Sequence, residues 1–239
     1  MKRLKNVIGS YGLAVMGLVL TVLLFTACKK EKIDQMNSPV AGVMAFNLAV
    51  DKPAVGFALS GGTTLGNVAL NYTGYSGTYL PVYPGTRELR AFEYYMGTTI
   101  ASTSATFVDS AYYSAFLMGA TGNYRTVVVR DDMETPVPVA GKAWVRYVNA
   151  IPDSVSTVSV TVGSNTQTAA YTTVSGFTQV NAGAVTISVS NGSSINASRT
   201  INMDENKVYT VLLSGLPNPT DPEKVVQIRF IQNGTATQE

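Results

Sequence analysis

Thr157-Val158-Ser159-Val160-Thr161-Val162 and, further on, Val185-Thr186-Ile187-Ser188-Val189-Ser190 decide the fold. In each stretch an aliphatic residue alternates with a hydroxyl residue. Successive side chains of an extended strand point to opposite faces, so a period of two sends three aliphatics to a core and three hydroxyls to water. A helix, repeating every 3.6 residues, would scatter the same side chains around its circumference. After residue 40 no segment shows a long amphipathic helical pattern. Each half of that region reads as about seven short strands divided by Gly, Pro, Asn and Ser turns, which predicts antiparallel β-sandwiches, with a barrel as the alternative.

The same order of landmarks occurs twice, at a spacing of roughly one hundred residues. Val43-Met44-Ala45-Phe46-Asn47-Leu48-Ala49-Val50-Asp51 opens the first copy, and Trp144-Val145-Arg146-Tyr147-Val148-Asn149-Ala150-Ile151-Pro152-Asp153 opens the second. Alternating Val55, Phe57 and Leu59 correspond to Val158, Val160 and Val162. Tyr83-Pro84-Gly85 corresponds to Asn181-Ala182-Gly183, and Tyr113 to Gly119 corresponds to Tyr209 to Gly215. The last strands are expected at Arg125 to Arg130 and Lys224 to Ile231. We therefore expect a first sandwich at 41–133, a linker at 134–141 holding Pro136 and Pro138, and a second sandwich at 142–239. The linker is short enough that the two are expected to touch.

The opening of the second copy, Val145-Arg146-Tyr147-Val148-Asn149-Ala150-Ile151-Pro152-Asp153, resembles that of the DUF 4397 family of bacterial domains of unknown function, which starts V-R-x-x-N-x-x-P-D. The turn at Ala182-Gly183 and the strand at Tyr209-Thr210-Val211 are similar too. The resemblance covers nearly all the chain after the tether, once per copy. In the first copy Pro53 follows Asp51 instead of preceding it. The resemblance implies an all-β fold of two tandem immunoglobulin-like antiparallel β-sandwich domains, exported in lipoproteins of Bacteroidota type. It implies no catalytic residues.

Residues 1–27 read as a lipoprotein signal peptide. Lys2, Arg3 and Lys5 form a basic start, Tyr11 to Phe25 is apolar, and Thr26-Ala27-Cys28 closes the segment with small residues. Leu24-Phe25-Thr26-Ala27-Cys28 resembles a lipobox, with Phe25 where Leu is usual. Cys28, the one cysteine of the chain, is the expected lipidation site, and each acyl methylene that enters the membrane contributes about 0.8 kcal/mol. The alternative is a membrane-spanning helix with a chance cysteine, near the lower length limit for spanning. Residues 28–40 read as a flexible tether. The expected location is the cell envelope, on the outer membrane, with the membrane as a partner through the lipid at Cys28.

Composition excludes more than it assigns. Hydrophobic residues make up 46% and charged residues 13% of 239, enough apolar material for real cores. Lys2, Arg3 and Lys5 account for three of the 17 basic residues, and the other 14 face 15 acidic ones. A near-neutral body makes no electrostatic case for nucleic acid. There is no histidine, so Ser-His-Asp and Cys-His catalysis are impossible. A single cysteine forms no intrachain disulfide.

No cofactor and no metal site is expected. Asn47 with Asp51, and Asn149 with Asp153, fit Asx-turn chemistry better than a cation site, since calcium needs six or more oxygens. Asp131, Asp132 and Glu134 read as a solvated linker rather than ligands. Gly61-Gly62-Thr63-Thr64-Leu65-Gly66 lacks the Gly-Lys-Ser/Thr of a phosphate loop and reads as a hairpin loop. Tyr72, Tyr75, Tyr79 and Tyr83 are the candidate ligand-binding residues, because exposed aromatic rings give large contact area at low entropic cost; ordinary strand filling is the competing explanation. Ser110 and Ser154, each in an Asp-Ser-aliphatic triplet, are candidate O-glycosylation sites. The leading expectation is an envelope-anchored, non-enzymatic binding or structural module whose partner is a glycan or an envelope protein. The alternative is a carbohydrate-binding accessory lipoprotein of a glycan-uptake system. An enzyme using paired carboxylates is the third possibility.

Overall fold

The computed structural model describes residues 39–152 and 157–237. The signal segment, Cys28, most of the tether, Asp153 and Ser154 lie outside the described residues. The first copy folds into β1 (Ala41–Ala49), β2 (Val55–Leu59), β3 (Thr63–Thr64), β4 (Leu80–Val82), β5 (Gly85–Glu93), β6 (Thr99–Phe107), β7 (Tyr112–Ala120) and β8 (Asn123–Asp131). The second repeats the order as β9 (Lys142–Asn149), β10 (Val158–Val162), β11 (Asn165–Ala169), β12 (Thr178–Asn181), β13 (Gly183–Ser190), β14 (Asn196–Met203), β15 (Lys207–Ser214) and β16 (Gln227–Thr235). Each copy thus has eight strands rather than seven. The last begins at Gln227, not Lys224, because Asp221 caps a short 3-10 turn at Pro222–Lys224.

Each copy makes a sandwich of two four-stranded sheets. An outer sheet runs β3-β2-β5-β6, or β11-β10-β13-β14, and an inner sheet runs β4-β1-β7-β8, or β12-β9-β15-β16. The pairing is antiparallel except at the middle of each inner sheet, where β1 pairs with β7, and β9 with β15, in parallel. Non-local closure of first strand on seventh replaces a simple hairpin array. Both copies carry a tyrosine corner, a mark of immunoglobulin-like sandwiches. The Tyr113 hydroxyl accepts from the backbone N–H of Val108 at 2.9 Å, and Tyr209 accepts from that of Asp204 at 2.9 Å, each five residues upstream.

The outer strands bury one face, as their period predicts. On β10 the valines are buried while Ser159 is exposed, and on the solvent side hydroxyls pair across strands, Thr161 with Thr166 and Thr186 with Thr200. The central inner strands are different. All of Phe46 to Ala49, Tyr113 to Ala120, Ala143 to Asn149 and Val208 to Ser214 is buried. Their second face is covered by the other copy. Met44, Phe46, Leu48, Phe116 and Met118 of the first inner sheet pack on Val148, Ala150, Leu212 and Ile231 of the second. The described residues from Pro39 on are therefore four layers deep, with one core inside each sandwich and a third between them.

Gly119 and Gly215 occupy the same place at the ends of β7 and β15. Their φ angles are +123° and +122°, and a Cβ would lie 2.1 Å from the Asn123 carbonyl oxygen or 2.4 Å from that of Val225. Gly119→Ala and Gly215→Ala combine left-handed strain with a backbone clash. Each is expected to cost more than about 1 kcal/mol in urea unfolding, and an unchanged midpoint in either would contradict this geometry.

Candidate functional site

The turn chemistry expected of Asn47 and Asn149 is present in both copies. Asn47 Nδ2 donates to the carbonyls of Lys52 (2.8 Å) and Leu70 (3.0 Å), and its Oδ1 accepts from Ala49 N–H. Asn149 Nδ2 donates to Ala169 (3.3 Å) and Ala170 (3.0 Å), and its Oδ1 accepts from Ile151 N–H. Both amides are buried, so the motif asparagine ties the end of the first strand to the incoming loop. The Asp51 carboxylate accepts from Thr121 N–H and the Tyr124 hydroxyl.

The linker acids part company. Asp131 belongs to β8 and is buried, which corrects its reading as a solvated linker residue. Its Oδ1 takes an ion pair from Arg146 Nη1 at 2.5 Å. Its Oδ2 accepts from the hydroxyls of Tyr79 at 2.6 Å and Ser114 at 2.7 Å. Arg146 spends its other donors on Ser114 and Thr210, and Phe177 lies against its guanidinium. The Thr210 hydroxyl in turn donates to Asn233 Oδ1 at 2.7 Å. The network crosses the contact between the sandwiches and leaves neither charge without a partner. Asp132 caps a local turn through Thr135, whose hydroxyl and N–H hold its carboxyl below the usual range. Among the described residues no three His, Cys, Asp or Glu side chains gather as metal ligands. The Gly61–Gly66 stretch forms the turn from β2 through β3, with no helix behind it.

The four candidate tyrosines do not share one surface. Tyr72 is half-buried, and its phenol approaches Ser214 and Gln227 of the second sandwich. Tyr171 holds the matching place in the second copy and lies near Arg125 of the first, so the two rings reach reciprocally across the contact. Tyr75 stacks on Phe46, with ring centres 5.6 Å apart and planes 13° apart. Tyr83 is 63% exposed. Tyr79 has its hydroxyl in the buried network, but one side of its ring borders an open cleft.

That cleft is the candidate site among the described residues. It encloses about 350 Å³ between Val40, Gly42, Tyr79, Pro81, Ser110 and Tyr112. The Tyr79 and Tyr112 rings stand 4.8 Å apart at 60°. Ser110, the candidate glycosylation residue, is exposed on a left-handed turn with φ +60°. Its N–H donates to the Val40 carbonyl, and the Asp109 carboxylate accepts from Val40 N–H. Gly42 shapes the floor, because a Cβ there would lie 2.8 Å from Tyr112 Cδ1. Sequence reasoning missed Tyr112, Gly42, Arg146 and the burial of Asp131. The available signal was the alignment of the copies, which sets Gly42 against Trp144 and Met44 against Arg146.

Fold and site together define a class: two tandem β-sandwiches joined through their inner sheets, with an aromatic cleft at the entry of the first. The chain belongs to the family described as Domain of unknown function (DUF4397), whose model matches residues 41–161 and 143–236. The overlap falls on strands that belong to the second sandwich. A search of characterised proteins gives no match.

Arg146→Met, which copies Met44, would leave Asp131 charged and unpaired in the contact. It is expected to cost about 3–5 kcal/mol. Adding Asp131→Leu removes the orphaned charge and should recover a large part of the loss. Urea unfolding of the four proteins in this cycle measures the coupling, and strictly additive single losses would show that the pair is not one unit.

Burial, then the charge of Asp131 and the hydrogen bond to it, raise the Tyr79 phenol well above its ordinary value of 10.0. Burial likewise pushes Tyr171 up to about 12. A group raised in the folded chain stabilises fully below its unfolded value, and that stabilisation is lost as pH climbs above it towards the folded value. Resistance to urea should therefore hold steady up to about pH 10 and fall beyond it. Tyr79→Phe should flatten the alkaline fall, and an identical pH profile would exclude Tyr79 as its source.

Proposed function

We propose that this protein is an envelope-anchored lipoprotein acting as a non-enzymatic binding module, held to the outer membrane by acyl chains on Cys28. The observation that carries the reading is the placement of the one cysteine directly after an apolar run closed by Thr26 and Ala27. An acylated thiol there gives the chain a membrane end, and residues 29–40 separate that end from the body. Non-enzymatic action is supported by the lack of histidine in the chain and by the structural employment of the buried Asp131–Arg146 pair. Binding is supported by the cleft, which opens next to Val40 and Ala41, where the tether meets the first strand. A carbohydrate-binding accessory role in glycan uptake is the second reading. The observation favouring it is the aromatic, uncharged lining of that cleft. Ser110 and Ser154 remain proposed O-glycosylation sites, and intact mass of the native protein reads them out.

Growth of the producing cells with an alkyne fatty acid should label the wild-type protein and place it in the membrane fraction. Cys28→Ser should lose the label and leave that fraction. An unlabelled wild-type protein would overturn the anchor.

A further inference from the structure

The strand registers align the two copies residue by residue at the cleft. Gly42 lies beside Pro81 on one neighbouring strand and Tyr112 on the other. Trp144 lies beside Gln179 and Val208 in the same way. Two residues before these edge-strand partners stand Tyr79 and Phe177. The equivalent places are in opposite states. In the second copy Trp144 is 8% exposed and fills the space together with Phe177, Val208 and Ala236, and its indole N–H donates to the Val137 carbonyl at 2.7 Å. In the first copy Gly42 brings no side chain, Tyr79 and Tyr112 close over it, and the 350 Å³ cleft lies against their rings.

From this difference we infer that the cleft at Gly42 is a binding site for the ring of a neutral saccharide, kept open in the first copy and plugged by Trp144 in the second. The inference rests on the binding-module reading and narrows it to a ligand class. Four observations select that class. The volume stands at the lower end of the roughly 300–1,000 Å³ of small-ligand sites, the scale of one or two rings. The residues bounding the cleft carry no charged side chain, so a charged group entering it would lose water without gaining a counter-charge. The nearby Asp109 carboxylate already accepts from Val40 N–H. The tyrosine rings, tilted rather than parallel, offer π faces to the C–H face of a pyranose, while the exposed Ser110 hydroxyl, where it carries no glycan of its own, stands at the rim for its hydroxyls.

The site is also built before any ligand arrives. Tyr79 is pinned through its hydroxyl to Asp131, and Asp131 is pinned to Arg146 of the other sandwich. The Ser110 turn is pinned to Val40 by two hydrogen bonds. A receptor ordered in advance loses little entropy on binding, which is what a small contact area requires.

The test uses the detergent-solubilised full-length lipoprotein on an array of neutral gluco-, xylo-, manno- and chito-oligosaccharides, with charged glycans and a polyproline peptide as competing probes. Saturation-transfer NMR on the hits follows. The expected result is binding of a neutral oligosaccharide, weakened at least tenfold by Tyr112→Val, which copies Val208. Ser110→Ala, an exposed change, should weaken it without altering the thermal midpoint, and so keeps the test decisive if the Tyr112 variant is poorly folded. Wild-type binding that both variants retain would place the site elsewhere and overturn the inference. Binding of a charged glycan or the peptide alone would overturn it while leaving the binding module standing. No binding of any probe, with acylation at Cys28 intact, would overturn the saccharide site and leave the anchor untouched.

Discussion

The structure depends on the burial of a second face by each inner sheet. A sheet in a two-layer sandwich needs only one apolar face, and the outer sheets obey that rule with hydroxyls on their solvent side. β1, β7, β9 and β15 carry apolar side chains on both faces, and Phe46, Phe116, Met118 and Leu212 would meet water in an isolated sandwich. Full burial of side chains of this size contributes about 1.5–3 kcal/mol each. The fusion of the copies is thus part of the fold, and the tandem repeat behaves as a four-layer body rather than as two beads on a string.

Apolar packing alone would not choose which face meets which. The two copies present the same face, as in an isologous dimer, with Tyr72 and Tyr171 crossing reciprocally. The Asp131–Arg146 pair breaks this symmetry. The first copy has Met44 where the second has Arg146. A bulge on β16 sets Asn233 in the place of Asp131: it is neutral, and it accepts from Thr210 as Asp131 accepts from the equivalent Ser114. One buried ion pair therefore forms, and only between unlike copies. Two first-type sandwiches pairing this way would bury two unpaired carboxylates. The pair acts as a register device, the best-attested use of buried charge.

The same difference between the copies accompanies the cleft. Duplication yields two equivalent strand openings, and one received tryptophan while the other received glycine. The plugged copy holds the linker through the Trp144 indole. The open copy carries the cleft, and its Tyr79 wall is held by the ion-pair network. Packing between the copies and the shape of the cleft are in that sense one arrangement, read from two sides.

The all-β class, the duplication, the outer strands and the structural role of Asn47 were determined by the sequence alone. Each is a local matter: alternation is visible within six residues, and an Asx turn bonds to near neighbours. Tertiary structure alone decided the parallel closure of first strand on seventh, the burial of Asp131 and the meaning of Arg146. It also separated Tyr72 and Tyr79, which turn into the contact, from Tyr75 and Tyr83, which stay exposed. The physical reason is range. Asp131 and Arg146 stand on different sheets of different copies, and Tyr79 reaches Asp131 across 52 positions of chain. A pattern read along one strand says which side chains share a face, but not what lies opposite that face.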